Sequence, residues 1–126
     1  MPSGPDLTPE QQKELEKILE EVNAVKSVIG SLIVGHDGVL LASKLPSRYD
    51  AEFLGLTALG VFTSTIAGIK KMDHQQLHQI VAKTNRGHMT IADFGEGLLV
   101  TLTDDTAVES STKVMQRILR QRAEHN

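Results

Sequence analysis

The sequence predicts one α+β domain with the element order α-ββ-α-βββ-α, and three observations lead to this fold class. Apolar residues recur at helical spacing near both ends of the chain, five short apolar runs alternate with turn residues, and the run from Phe53 to Ile69 carries no charge. That run stands out because 23% of the 126 residues are charged. A chain of this length fits a single domain with a substantial core.

The first helix is predicted to begin at Thr8. Thr8, Pro9 and Gln11 match an N-cap, a proline at the first helical position and the third-residue partner of a capping box. Apolar residues then follow at helical spacing, namely Leu15, Ile18, Leu19 and Val22. Residues 1–7 include Pro2, Gly4 and Pro5, so we expect a flexible N-terminal arm over 1–7, a domain over 8–122 and a C-terminal tail over 123–126.

The first two strands are predicted to form a hairpin. The runs SVIGSLIV and VLLAS are separated by Gly35 to Gly38, and the pair Asp37-Gly38 is a turn signal. Both runs are apolar at consecutive positions instead of alternating, which indicates strands covered on both faces. We therefore expect both strands in the middle of a sheet, with helices above and below it.

The uncharged run is predicted to be the second helix. Asp50 is suited to its N-cap, Glu52 to its first turn, and Lys70 and Lys71 to its last turn, where the helix dipole favours bases. Apolar or small residues occupy every side of this helix, so a second surface must cover its back, and another protein is the favoured cover. The alternative is a central helix buried inside a monomer. A membrane span is rejected, because the run is shorter than the ~20 apolar residues that a bilayer needs and is interrupted by glycine, serine and threonine.

Residue size divides this helix into two stripes. The bulky stripe, which we expect to face the core of the domain, consists of Leu56, Leu59, Phe62, Ile66 and Ile69. The small-residue ridge, which would admit a close neighbour, consists of Thr57, Gly60, Ser64, Ala67 and Gly68.

The second half of the chain is predicted to be a three-stranded meander followed by a closing helix. The runs LHQIVAKT, HMTIADF and LLVTLT are joined by the short turns Asn85–Gly87 and Gly95–Gly97. The first run is the most polar and suits a sheet edge, whereas the third suits the interior. Thr106 and Glu109 form a capping-box pattern for the helix. The apolar face of this helix is predicted from Val108, Met115, Ile118 and Leu119.

Composition limits the cellular context and the classes of partner. The net charge is −3 and only four residues are aromatic, so the chain offers neither a basic surface nor a stacking platform for nucleic acid. There is no cysteine, which excludes disulfides and thiol nucleophiles. The first residues lack the pattern of a secretory signal, so we expect a cytoplasmic protein.

No pattern of an enzyme or of a cofactor site is evident, and we predict no catalytic residues, no cofactor and no metal. The phosphate loop, the dinucleotide fingerprint and the serine elbow are all missing. Asp73, His74 and His78 are the nearest approach to a metal cluster, but the change from helix to strand would separate them. His36, His88 and His125 are scattered. Asp93 lies in an apolar strand and is either half-buried and hydrogen-bonded or turned outward.

At this point the sequence resembles the Roadblock/dynein light chain family. The resemblance covers roughly Glu10 to Arg120. It depends on the strand-turn-strand SLIVGHDGVLLAS, on the uncharged helix after it, and on the closing meander HMTIADFGEGLLVTLTDD. It implies a five-stranded antiparallel sheet of the profilin-like type, with the middle helix on one face and the first and last helices on the other.

The resemblance also implies a homodimer in which the middle helices of two subunits pack together and the edge strands after them join the two sheets. On this chain the size and spacing of the residues place the small-residue ridge, with Thr57, Gly60, Ser64, Ala67 and Gly68, at the helix contact. The strand Leu77–Thr84, with Leu77 and Ile80, is placed at the sheet edge.

Family members act as scaffolds and regulators. Bacterial members often pair with Ras-like small GTPases, and some of these stimulate GTP hydrolysis. The compact single-domain form resembles the bacterial branch, so we expect a GTPase partner. The family offers no fixed arginine finger. Arg48 and Arg86 are the only arginines outside the closing helix, and both are interpreted as solvated.

The alternative function is a small-molecule sensor with a pocket between the sheet and a helix. Such pockets combine apolar walls with a few convergent polar groups. Few aromatic residues and a sheet rich in Leu, Val and Ile favour a packed core over a cavity.

Overall fold

The computed structural model describes residues 7–72, 76–104 and 116–121. Two helices and five strands have assigned bounds: α1 Pro9–Asn23, β1 Val28–Val34, β2 Leu40–Lys44, α2 Ala51–Ile69, β3 Gln79–Lys83, β4 Gly87–Asp93 and β5 Leu98–Asp104. Residues 116–121 are also helical.

The N-caps predicted at Thr8 and Asp50 are present and determine where α1 and α2 begin. The Thr8 side chain accepts a hydrogen bond from Gln11 N at 3.1 Å, and Gln11 Oε1 accepts one from Thr8 N at 2.9 Å, which completes the capping box. Asp50 Oδ1 accepts a hydrogen bond from Phe53 N at 3.1 Å. These contacts satisfy backbone N–H groups that a helix leaves unpaired at its start.

The five strands form one antiparallel sheet in the order β2-β1-β5-β4-β3. The predicted edge position of the third strand and the interior position of the last are both confirmed, since β3 lies at one edge and β5 at the centre. The central position expected for both hairpin strands is confirmed for β1 and wrong for β2, which is the other edge.

The error at β2 has a physical reason. Leu41 packs against the apolar cluster on the α1 side of the sheet, and Leu40 packs against the cluster on the α2 side. Helices therefore cover both faces of β2, although it has a strand on only one side. Consecutive apolar residues report covered faces and do not report the number of neighbouring strands.

The β2 edge carries features that discourage further strand pairing. The strand has five residues, a register shift interrupts its pairing with β1 between Ile33 and Val34, and Ser43 and Lys44 are exposed. Two side chains of α1 are hydrogen-bonded to the backbone of β2: Gln12 Nε2 donates to Leu41 O and Asn23 Nδ2 donates to Lys44 O, both at 3.1 Å.

One apolar cluster lies on each face of the sheet. The cluster on the first face joins α1, the sheet and Ile118 of the helical segment 116–121. Leu7, which the sequence assigned to the flexible arm, is partly buried against it. The cluster on the opposite face joins the sheet to Ala58 and Phe62 of α2. The predicted arrangement of helices on both faces is confirmed.

The predicted closing helix is described only in part. Four of the residues predicted for it lie outside the described residues, namely Thr106, Val108, Glu109 and Met115.

Candidate interaction surface

The face of α2 that packs on the sheet is built from small residues and one aromatic ring. Gly55, Ala58 and Phe62 are buried. A Cβ atom added to Gly55 would come within 3.3 Å of the Val34 side chain, so this glycine lets the helix approach β1 closely. Leu59 and Ile66 pack at the border of the same cluster.

The opposite face of α2, which we call the outer face, is exposed along the whole helix. All five residues of the small-residue ridge are exposed: Thr57, Gly60, Ser64, Ala67 and Gly68. A Cβ atom added to Gly60 or to Gly68 would meet no atom within 4 Å. The ridge is thus placed where a second molecule can reach it, and its role in a dimer stays a prediction.

Bulky apolar side chains share the outer face. Phe53 is 60% exposed and Leu56 is 57% exposed, and Val61 is also exposed. The assignment of Leu56 to the core stripe was therefore wrong, whereas Phe62 is buried and Leu59, Ile66 and Ile69 are half-buried as expected. The helix turns Gly55 and Ala58 towards the sheet because their small side chains permit the closest approach, and this rotation carries Leu56 outward.

Threonine hydroxyls leave the apolar character of the helix intact. The Oγ1 atoms of Thr57, Thr63 and Thr65 donate to the backbone oxygens of Phe53, Leu59 and Val61 at 2.8, 2.6 and 2.7 Å. A threonine bonded to the preceding turn in this way has its donor occupied and presents its methyl group to the surroundings. Thr57 and Thr63 therefore add apolar surface to the exposed side of α2.

The second part of the surface is the free edge of β3. Leu77 and Ile80 are partly buried against the cluster under α2, so they face their own core, and their place in a dimer interface stays a prediction. Val81 is 43% exposed and is an apolar side chain that was not predicted to belong to an interface. Its exposure could have been predicted from its position next to Ile80, because neighbouring residues of a strand point to opposite faces.

The hydrogen-bond pattern shows which backbone groups of β3 face this edge. Thr84 N donates to Gly87 O at 2.7 Å, and the pairing with β4 continues from Lys83 to Gln79 in the same register. Hydrogen-bonded pairs alternate in an antiparallel ladder, so Ala82 and Ile80 direct their backbone groups towards β4. Val81 directs its N–H and C=O away from β4.

The other candidate residues that the structure describes are spread over the surface. The Arg48 guanidinium lies 4.8 Å from the centre of the Tyr49 ring, and both Arg48 and Arg86 are exposed. Within residues 7–72, 76–104 and 116–121, no group of three or more His, Asp or Glu side chains is arranged to hold a metal ion. Asp73, His74 and His125 lie outside those residues, and His78 is exposed.

His36, interpreted from the sequence as one of three scattered histidines, has an acidic partner. His36 Nε2 lies 3.1 Å from Asp93 Oδ1, which also accepts a hydrogen bond from Gly95 N at 2.8 Å. Asp93 is therefore both exposed and hydrogen-bonded, so each of its two interpretations is partly correct. The pair joins the β1–β2 loop to the β4–β5 turn, a contact between residues 57 positions apart that local sequence patterns do not reveal.

A groove open to solvent runs between the C-terminal half of α2 and the start of β3. Its walls combine the apolar Phe62, Ile66, Ile69 and Leu77 with the polar Lys70, Gln76, His78 and Asp93. It lies beside the β3 edge and combines apolar walls with polar groups, as the pocket of a small-molecule sensor would.

By length and composition, α2 is apolar enough to cross a membrane. One such helix is weak evidence for a membrane span, and α2 packs Gly55, Ala58 and Phe62 onto the sheet while its opposite face is exposed.

Comparison with known proteins identifies one family and relatives that share most of the chain. The family model described as Roadblock/LC7 domain matches residues 14–103. The protein MJ0714 of Methanocaldococcus jannaschii is 36% identical over 90 residues, which cover 71% of this chain and 76% of that protein. The protein MJ0310 of the same organism is 34% identical over 90 residues, which cover 71% of this chain and 79% of that protein.

Solved structures share the fold at low sequence identity. MglB of Myxococcus xanthus superposes with a TM-score of 0.84 at 12% identity, covering 94% of this chain and 91% of that chain. The Roadblock/LC7 domain from Streptomyces avermitilis superposes with a TM-score of 0.72 at 18% identity, covering 88% and 96%. These similar proteins come from one archaeon, with two proteins, and from two bacteria, so the expected bacterial origin stays a prediction.

Proposed function

The chain belongs to the Roadblock/LC7 domain family, and from this membership we propose that it is a non-enzymatic, homodimeric regulator or scaffold that binds a Ras-like small GTPase in the cytoplasm. A regulatory role is what the family match supports at the coarsest level. The dimer, the GTPase and any effect on GTP hydrolysis are the finer parts of the proposal, and each has its own test.

The exposed outer face of α2 is the single observation that carries the proposal. Phe53, Leu56 and Val61 are exposed on a helix without a charged residue between Phe53 and Ile69. Monomeric proteins rarely expose a continuous apolar surface of this kind, and such surfaces mark sites of association. A second copy of the chain suits this face, because the same surface can serve both subunits of a two-fold dimer.

The distribution of side-chain size along α2 favours an antiparallel contact between the two helices. The exposed bulky residues Phe53 and Leu56 lie near its N-terminal end, and the exposed small residues Ala67 and Gly68 lie near its C-terminal end. Antiparallel packing about Gly60 brings the bulky end of each helix against the small end of the other. Large side chains of one helix then fill the space beside small residues of the other, which gives the dense, complementary packing found in interface cores.

The direct test of the dimer is sedimentation equilibrium over a wide range of protein concentrations. We expect a mass near twice 13.7 kDa. A monomer at all concentrations would contradict the dimer, and with it the interpretation of the outer face.

A proline substitution tests the contribution of the sheet edge. Val81→Pro removes an N–H group that points away from β4, so the strand keeps its bonds to β4, and proline is tolerated on edge strands in this position. We expect a dimer that dissociates at least ~10-fold more readily, because a pair of strands loses backbone hydrogen bonds worth about 1 kcal/mol each. Sedimentation equilibrium measures the change.

Ala82→Pro is the matched control, since Ala82 directs its N–H towards β4. It should lower the thermal stability of the subunit itself. If Val81→Pro leaves the dimer unchanged while Ala82→Pro destabilises the fold, β3 is not part of the dimer contact.

Binding to the GTPase is tested with Ras-like small GTPases of the source organism, each loaded with GDP or with a non-hydrolysable GTP analogue. We expect at least one of them to bind with a clear preference for one nucleotide state, as measured by isothermal titration calorimetry. Equal affinity for the two states would make this protein a passive scaffold, and absence of binding to every candidate would contradict the GTPase assignment. A hydrolysis assay on the complex then tests for activation.

A further inference from the structure

A row of buried hydroxyl groups crosses the sheet on the α1 side. Ser31 on β1 pairs with Thr101 on β5, and Thr101 pairs with Thr90 on β4. All three residues are 0% exposed. They alternate with residues that face α2, and they share the face of Ile33, Leu99 and Ala92, which belong to the cluster under α1.

The first hydroxyl of the row has a partner in the protein. Ser31 Oγ donates to Asn23 Oδ1 at 2.6 Å, and Asn23 Nδ2 donates to Lys44 O. This chain of bonds connects the C-terminal end of α1 to β1 and β2. These hydrogen bonds explain why the polar residue Ser31 is found on a buried face of the sheet.

The other two hydroxyls have no protein partner within the described residues. Thr90 Oγ1 and Thr101 Oγ1 are both buried without a hydrogen bond. They come from residues that lie directly opposite each other on neighbouring strands. His88 Nδ1, two positions along β4 on the same face, is also buried and unbonded. Buried polar groups in native proteins are almost always hydrogen-bonded to protein or to ordered water, so the two opposed threonine hydroxyls point to a shared water partner.

We propose that this part of the sheet face binds an internal water molecule that bridges Thr90 Oγ1 and Thr101 Oγ1. The requirement is for a small neutral molecule that both donates and accepts hydrogen bonds, because each hydroxyl does both. Directly opposed residues on neighbouring strands have Cβ atoms about 4.5–5.5 Å apart, a spacing at which one water molecule can reach both hydroxyl groups. Internal waters typically satisfy buried polar groups in this manner.

The proposal concerns the opposite face of the sheet from α2 and does not depend on the dimer or on the GTPase. It predicts that the site survives in any variant that separates the subunits. It also gives the two threonines a coupled role, since removal of either hydroxyl leaves the water with fewer partners.

The experiment combines NMR detection of water with a double-mutant cycle. In the wild-type protein we expect water-to-protein nuclear Overhauser effects of negative sign, typical of long-lived internal water, at the methyl groups of Thr90 and Thr101. The Thr90→Val and Thr101→Val variants preserve side-chain shape. We expect each to lower the Tm by about 3–6 °C, since a change of 1 kcal/mol shifts the Tm by several degrees in a domain of this size. The double variant should lose the water signal, and its Tm should fall by less than the sum of the two single effects.

Ser31→Ala is the control, because the Ser31 hydroxyl has a protein partner. It should leave the water signals at Thr90 and Thr101 in place. The proposal would be overturned by the absence of long-lived water in the wild-type protein, or by single variants that each raise the Tm additively. Native mass spectrometry that detects a bound organic molecule, released by the double variant, would also overturn it in favour of a ligand pocket.

Discussion

Gly60→Glu is expected to convert the dimer into a monomer while the subunit stays folded. Gly60 lies in the middle of the outer face of α2, and a side chain added there meets no atom of its own chain within 4 Å. In the proposed dimer the same position lies at the helix contact, where an unpaired carboxylate would be desolvated. We expect a penalty of about 3 kcal/mol or more, which raises the dimer dissociation constant at least ~100-fold.

Sedimentation equilibrium measures the dissociation constant, and circular dichroism verifies that the subunit is folded. Ser64→Arg, one turn further along the ridge, should act in the same way with the opposite charge. Ser43→Glu on the exposed β2 edge is the matched control and should remain dimeric. If both ridge variants form stable dimers of normal solubility, the small-residue ridge is not the contact surface.

Gly87→Ala is expected to destabilise the subunit itself more than any single change at the ridge. Gly87 begins β4 opposite Asp104 on β5, and a Cβ atom at this position would overlap the backbone oxygen of Thr103. The clashing atom belongs to the backbone of the central strand and cannot rotate away, so the two strands must separate locally. We expect a loss of about 3 kcal/mol or more in the free energy of unfolding, measured by urea denaturation.

The matched control for Gly87→Ala is Gly60→Ala, which adds the same methyl group in open space. Alanine is a better helix former than glycine by about 1 kcal/mol, so the isolated subunit should not lose stability. Any loss of stability caused by Gly60→Ala arises from a weaker dimer and varies with protein concentration. The loss of stability caused by Gly87→Ala arises within the subunit and does not vary with concentration. A Gly87→Ala variant as stable as the wild type would mean that β4 and β5 are further apart than in the structure.

Local signals in the sequence were sufficient for the element order and for the helix starts. The capping box at Thr8, the Asp50 cap and the glycine-containing turns each depend on residues three or four positions apart, and all of them are present in the structure. The edge position of β3 was also predictable, because its polar residues are compatible with one open side.

The features that the sequence did not reveal depend on packing between distant elements. The rotation of α2 is determined by the closeness of Gly55 and Ala58 to the sheet, and a count of bulky residues at helical spacing placed Leu56 on the wrong side. The edge position of β2 was missed because helices cover both of its faces. The contact between His36 and Asp93 requires knowledge of which loops meet at one end of the sheet.

The unequal edges of the sheet have a consequence for the size of the assembly. At β3 the backbone groups of Val81 face away from the sheet, whereas β2 is short, irregular in its pairing and attached to α1 through Gln12 and Asn23. If two sheets join at β3, each end of the combined sheet is a β2 strand, which does not accept another subunit. For a dimer joined in this way, we expect extension of the sheet to stop at two copies, without the open-ended polymerisation to which exposed sheet edges are prone.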